Sequence, residues 1–117
     1  MKTMNGSIKK AVIELLILKL LSESDMYGYQ ITQELKKRSG GKFTVLEGSM
    51  YPILYRLADD GYISFYEEKI SIRQTRVYYH LEELGQEKYA AMQAEYRQAI
   101  QMVEFLLEST MDSESNG

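Results

Sequence analysis

The spacing of apolar positions changes several times along the chain, and each change marks an element. From residue 8 to about 22, Val12, Ile13, Leu15, Leu16, Ile17, Leu18, Leu20 and Leu21 leave almost no polar side. That pattern predicts a helix enclosed by other elements, the central beam of a core. Tyr27, Ile31 and Leu35 then recur every four residues and predict a second helix over 26–38, capped by Ser24 or Asp25. Lys36, Lys37 and Arg38 crowd its last turn, where cations suit the helix dipole, and Ser39-Gly40-Gly41 ends it. A third helix, 49–60, has marked ends: Ser49 as N-cap, Pro52 in the first turn and Gly61 for a left-handed C-terminal cap. Met50, Ile53, Leu54 and Leu57 share one of its faces. Ser49, Pro52, Tyr55, Arg56 and Asp59 take the other, with Tyr51 on the flank.

After Gly61 the period drops from 3.6 to 2. Residues 62–67 and 75–81 alternate, with the aromatic and β-branched content of strands. Residues 68–74 between them hold neither Gly nor Pro, which predicts an extended hairpin tip carrying Lys69 and Arg73, with Arg76 at the base of the return strand. On this alternation Val77, Tyr79 and Leu81 face one way and His80 the other, so His80 reads as a solvated surface residue. Residues 82–109 form one long helix. Tyr89, Met92, Tyr96, Ala99, Val103 and Leu106 are spaced three and four apart, an apolar seam. A core of three helices cannot fold back over so long a seam, so a second copy is the economical partner and a two-fold dimer the default. The fold expected is mostly α with a small β-hairpin: a winged helix-turn-helix over 1–81, a C-terminal dimerisation helix over 82–109, and a disordered tail over 110–117. Residues 1–7 read as frayed.

Composition narrows the chemistry. The 117 residues include no cysteine and one histidine, which removes disulfides, thiolate metal sites and a histidine-built centre. No metal and no cofactor is expected. No apolar run is long enough to span a membrane and no signal-peptide pattern is present, so the expectation is a soluble cytoplasmic protein. The net charge of −3 hides a segregation. Residues 1–81 hold twelve Lys/Arg against nine Asp/Glu, whereas 82–117 hold two against eight. Basic charge therefore collects in the part with the hairpin and the third helix. That helix presents hydroxyls and one guanidinium near its start and acids at its end, as a helix entering a DNA groove tip-first requires.

Five stretches resemble, in order, the successive signatures of the PadR family of bacterial transcriptional repressors. They are Leu15-Leu-Ile-Leu-Lys-Leu-Leu21, Met26-Tyr-Gly-Tyr-Gln-Ile31, Glu47-Gly-Ser-Met-Tyr-Pro-Ile-Leu-Tyr-Arg-Leu57, Asp60-Gly-Tyr-Ile63 and Arg76-Val-Tyr-Tyr79. Each alone is common; together they are specific and cover nearly the whole chain. A single long helix after the hairpin is similar to the smaller of the family's two size classes. The resemblance implies a dimeric repressor whose helix holding Ser49, Tyr51 and Pro52 enters the major groove while the wing touches backbone or minor groove. Two departures stand out: Glu82 replaces the usual Thr cap of the last helix, and the wing tip carries Ile70 and Ile72 where a glycine is usual.

The candidate DNA-binding residues are therefore Ser49, Tyr51, Pro52, Tyr55, Arg56, Lys69, Arg73 and Arg76, with Ser49, Tyr55 and Arg56 reaching bases and the wing cations meeting phosphate. Several family members bind planar aromatic compounds between the two halves of the dimer, and some carry tryptophan where this chain has Tyr96. The resemblance thus implies an effector site at Tyr96 and Met92; simple packing of Tyr96 against its mate is the competing account. For the whole protein, a winged-helix module that binds protein and never DNA is the alternative function, because fold does not fix function. An enzyme is not expected: no nucleophile–base pair, metal spacing or phosphate loop is visible.

Overall fold

The computed structural model describes residues 6–111. The elements in order are α1 (Gly6–Leu21), β1 (Met26–Tyr27), α2 (Gly28–Arg38), α3 (Glu47–Asp59), β2 (Ile63–Ser71), β3 (Gln74–Leu81) and α4 (Glu83–Glu108). This is the winged helix with a long C-terminal helix that the periodicities predict, with one strand added. The expected tail lies outside the described residues from residue 112 on, as do residues 1–5 of the stretch read as frayed, whereas Gly6 and Ser7 begin α1.

The core forms where the apolar stripes meet. Ile17 and Leu18 of α1, Ile31 of α2 and Met50 and Leu54 of α3 are inaccessible to solvent, and Ile63, Tyr79 and Leu81 close the sheet side. Fully burying a side chain of this size stabilises by roughly 1.5–3 kcal/mol. α1 touches α2, α3, β3 and α4, so it is the beam of the core. It is not enclosed on every side, however. Val12 and Leu15 remain half-exposed across a groove from Met92 and Tyr96 of α4, and Leu16 is half-exposed toward the end of α2.

Helix ends depart from the sequence expectation in an instructive way. α2 does not begin at Met26, and neither Ser24 nor Asp25 caps it; Tyr27 is the N-cap and makes no side-chain cap bond. Met26 and Tyr27 instead form β1 and pair with Tyr79 and Tyr78 of β3. The Asp25 carboxylate accepts bonds from the Tyr66 hydroxyl (2.7 Å) and meets Nδ1 of His80 (2.8 Å). His80 is thus half-exposed but tethered, not merely solvated. α3 starts at Glu47, so Ser49 is its third residue and not its cap, and Pro52 lies past the first turn. Leu46 is the N-cap, its carbonyl accepting from the amides of Ser49 and Met50. At the other end the expectation holds. Gly61 sits at φ 82°, its amide bonds to the Ala58 carbonyl, and the Tyr62 amide bonds to the Leu57 carbonyl. These two bonds form a Schellman motif, which turns the chain directly from α3 into β2.

The strands pair antiparallel in the order β1-β3-β2. The expected extended tip over 68–74 is absent. β2 and β3 run on to Ser71 and Gln74, leaving Ile72-Arg73 as a two-residue turn. Such turns normally need positive φ, and no non-glycine residue here has it. A bulge between Lys69 and Ser71 supplies extra twist, which lets the strands close around an unfavoured turn. Arg76, expected at the base of the return strand, pairs opposite Glu68 near the hairpin's outer end.

α4 leaves the wing at Glu82, its N-cap, which makes no side-chain cap bond. Its carboxylate accepts from the Ser64 hydroxyl at 2.5 Å, tying the helix start to β2. Gly85 permits the close approach: a Cβ there would overlap the Tyr62 carbonyl. Tyr89 and Met92 pack partly against the core. From Tyr96 onward every described residue is exposed, and the molecule extends 72 × 33 × 21 Å.

Candidate nucleic-acid interface

α3 is held from beneath and bare on top. Met50, Ile53, Leu54 and Leu57 are all buried, so the helix cannot roll. Ser49, Pro52, Tyr55 and Arg56 consequently share an exposed face. Tyr51 is placed differently. It is half-buried, its ring lies 6.0 Å from that of Tyr55, and its hydroxyl fills the space above Gly28. Burial pushes its phenol pKa up, aided by Glu47 and Tyr55. Tyr51 therefore works as a spacer between α3 and the start of α2. Gly28 is the residue that sequence reasoning passed over: it stands within a quoted motif, but only the packing reveals that any side chain there collides with Tyr51.

The wing brings its three sequence-selected cations to different situations. Lys69 and Arg73 are exposed close to the turn. Arg76 is half-buried, with its guanidinium 4.3 Å above the ring of Tyr27. Tyr27 meets Tyr78 edge-on at 5.5 Å, and Tyr78 stacks on Tyr66 at 5.7 Å. A row of three tyrosines therefore crosses all three strands, capped by Arg76 on one side and by Asp25 with His80 on the other. The hydrogen bond to Asp25 pushes Tyr66 up to about 12. Burial acts to raise Asp25, but the bonds from His80 and Tyr66 outweigh it and hold the carboxyl below its ordinary value.

The last turn of α2 is basic, yet Arg38 is already committed. It pairs with Glu23 at 2.6 Å and Glu34 at 2.9 Å, which leaves Lys36 and Lys37 exposed beside it. Together with Lys19, Arg38 draws Glu23 down to about 2.

The seam residues of α4 divide into two groups. Tyr89 and Met92 face the chain's own core, while Tyr96, Ala99, Val103 and Leu106 are exposed. Phe105 and Leu107, off the seam, are exposed as well. Met92 and Tyr96 line a groove of about 360 Å³ whose far wall is Val12 and Leu15 of α1. Among the described residues there is no grouping of His, Cys, Asp and Glu that could hold a metal ion, and no helix is long and apolar enough to cross a membrane.

Comparison with known proteins agrees with this geometry. Residues 17–91 match the model of the transcriptional regulator PadR-like family. A transcriptional regulator from Clostridium thermocellum superposes with a TM-score of 0.81 at 23% identity, covering 91% of this chain and all of that one, a likeness of fold. A PadR-like transcriptional regulator from Bacillus cereus gives 0.74 at 28% identity, covering 90% of this chain and all of that one. Bacillus subtilis PadR in complex with operator DNA gives 0.64 at 28% identity over 68% of this chain; the match spans 45% of that protein.

Proposed function

This chain belongs to the PadR-like family of transcriptional regulators, and from that premise we propose that it is a DNA-binding repressor acting as a homodimer. The observation that carries the reading is α3: a helix locked by four buried apolar residues and presenting Ser49, Pro52, Tyr55 and Arg56 to solvent. A rigid helix with a free polar face is what base reading in a major groove needs. Ser49 and Tyr55 supply hydroxyls, and Arg56 is suited to the edge of guanine. Lys69 and Arg73 at the wing turn supply backbone contact. Operator DNA is the ligand named for the Bacillus subtilis relative, which supports DNA as the partner here. Residues up to 81 form the DNA-binding unit in this reading, and α4 the pairing helix.

Dimerisation rests on the far part of α4. Tyr96, Val103 and Leu106 are 48%, 47% and 58% exposed, a contiguous apolar stripe of a kind that single soluble domains rarely leave open. A two-fold pairing along that stripe places two α3 helices on one DNA face, with half-sites about 10 bp apart or a multiple of it. The groove lined by Met92 and Tyr96 supports a second element, an effector site for a flat aromatic molecule completed by the partner copy.

A mobility shift with the DNA upstream of the protein's own gene, against unrelated DNA, tests the main reading. Retardation of the upstream fragment at concentrations that leave unrelated DNA free is the expected result; equal retardation of both, or of neither, contradicts it. For the dimer, sedimentation of Val103→Glu should show a monomer where the unmodified chain sediments as a dimer. For the effector site, a Tyr96→Ala dimer should lose affinity for planar aromatic compounds, followed by titration.

A further inference from the structure

A cleft of about 370 Å³ separates the start of α1 from α3, and its chemistry is one-sided. Its floor includes Ile13 and Ile53, both buried. Lys9 and Lys10 of α1 line one wall; Ser49 and Arg56 of α3 line the other. No carboxylate lines it, and among the described residues neither lysine nor Arg56 forms an ion pair. Glu14, four residues beyond Lys10 and the nearest acid along α1, pairs with neither lysine. Three cations gathered about one cleft repel each other unless an anion joins them. Two ammonium groups, one guanidinium and a hydroxyl are the donors that hold a phosphate, and the shared wall with α3 says which phosphate this is.

The geometry points to a phosphate clamp: Lys9 and Lys10 grip a backbone phosphate beside the groove that α3 enters, and so set the depth and register of that helix. This inference rests on the DNA-binding reading and extends it to a third element, since neither α3 nor the wing carries these lysines. Ser49 and Arg56 stand on the boundary, with the clamp on one side and the base edges on the other. Contacts to phosphate fix register but carry no sequence information, so the clamp's signature differs from that of the reading face.

Fluorescence anisotropy on operator and unrelated duplexes over a salt series separates the two. Lys9→Ala with Lys10→Ala should weaken both duplexes by the same factor and lower the salt slope by about two units, about one per lysine. The operator preference should stay. Arg97→Ala removes one charge from the exposed side of α4 and is the control for net charge against Lys10→Ala alone. A double variant with the slope of the unmodified protein overturns the clamp, as does an Arg97→Ala slope change equal to that of Lys10→Ala. If the unmodified protein binds no duplex at all, the DNA-binding reading falls and the clamp with it. Binding by the unmodified protein with an unaltered double variant removes the clamp alone.

Discussion

α3 and the wing both carry basic residues to the surface, but the two are held in opposite ways. α3 is fixed by what lies beneath it: four side chains pressed into the core, and a spacer, Tyr51, against Gly28. Its outer face makes no side-chain hydrogen bond or ion pair among the described residues, and only the Tyr55 ring meets a neighbour, Tyr51. The wing enters the core only at its base, through Ile63, Tyr79 and Leu81, and further out is braced by what lies upon it. Its outer face is largely taken up by the tyrosine row, the Arg76 guanidinium and the Asp25–His80–Tyr66 cluster, and the cations left without ion pairs, Lys69 and Arg73, lie at or beside the turn. An element braced from below can give its polar face to a ligand. One braced across its own surface can give only its tip. The contrast leaves Arg56 and Arg73 exposed and free of ion pairs among the described residues while Arg76 is engaged within the fold.

The contrast breaks if the bracing is not where these contacts place it. Leu54→Ala empties a site beneath α3 that solvent does not reach, and should cost about 2–5 kcal/mol in urea denaturation. Ile72→Ala at the wing turn, where the side chain is 91% exposed, should stay within about 0.5 kcal/mol of zero. Gly28→Ala forces a methyl group into the Tyr51 ring and should cost about 1–3 kcal/mol. Adding Tyr51→Phe, which removes the nearest clashing atom, should return part of that loss. Full additivity of the two changes would mean that the spacer does not work through this contact. Arg76→Ala removes the stacked guanidinium and should lower stability by about 0.5–1 kcal/mol. Its effect on the salt slope of DNA binding should be smaller than that of Arg73→Ala.

A smaller effect of the wing cluster is alkaline. Tyr66 has its folded pKa raised from 10.0 to about 12, so its bond to Asp25 contributes stability that is complete below pH 10. That contribution is lost as pH rises through about 12. Tyr66→Phe should therefore be slightly less stable than the unmodified protein at neutral pH, and the gap should close in strong alkali. Following tyrosinate absorbance and unfolding together checks this; a gap independent of pH would dissociate Tyr66 from the cluster.

These contacts also divide what a sequence discloses from what it does not. The buried stripe of α3 and the Gly61 cap were legible because both are local: a period within one helix, and a residue type that a left-handed turn requires. The start of α3 was misplaced because the cap is the Leu46 backbone, and a carbonyl has no residue signature. β1 was invisible since two residues have no period; only pairing with β3, some fifty positions on, makes Met26-Tyr27 a strand. That same pairing brings Tyr27 beneath Arg76, so the engagement of this arginine depends on a distant register. The absence of glycine predicts a long wing turn, whereas the bulge at Ile70 provides the twist that glycine normally allows. Of the candidate site, the exposed face of α3 was readable from the helical wheel; the commitments of Tyr51 and Arg76 were not.

The central claim is that the free face of α3 reads sequence. The direct measurement is the ratio of affinities for operator and unrelated duplex, at one salt concentration, for the unmodified protein and for Arg56→Ala. The account predicts that Arg56→Ala loses affinity chiefly for operator, by about 1–3 kcal/mol, so that the ratio collapses toward one. An equal loss on both duplexes, with the ratio preserved, would contradict it.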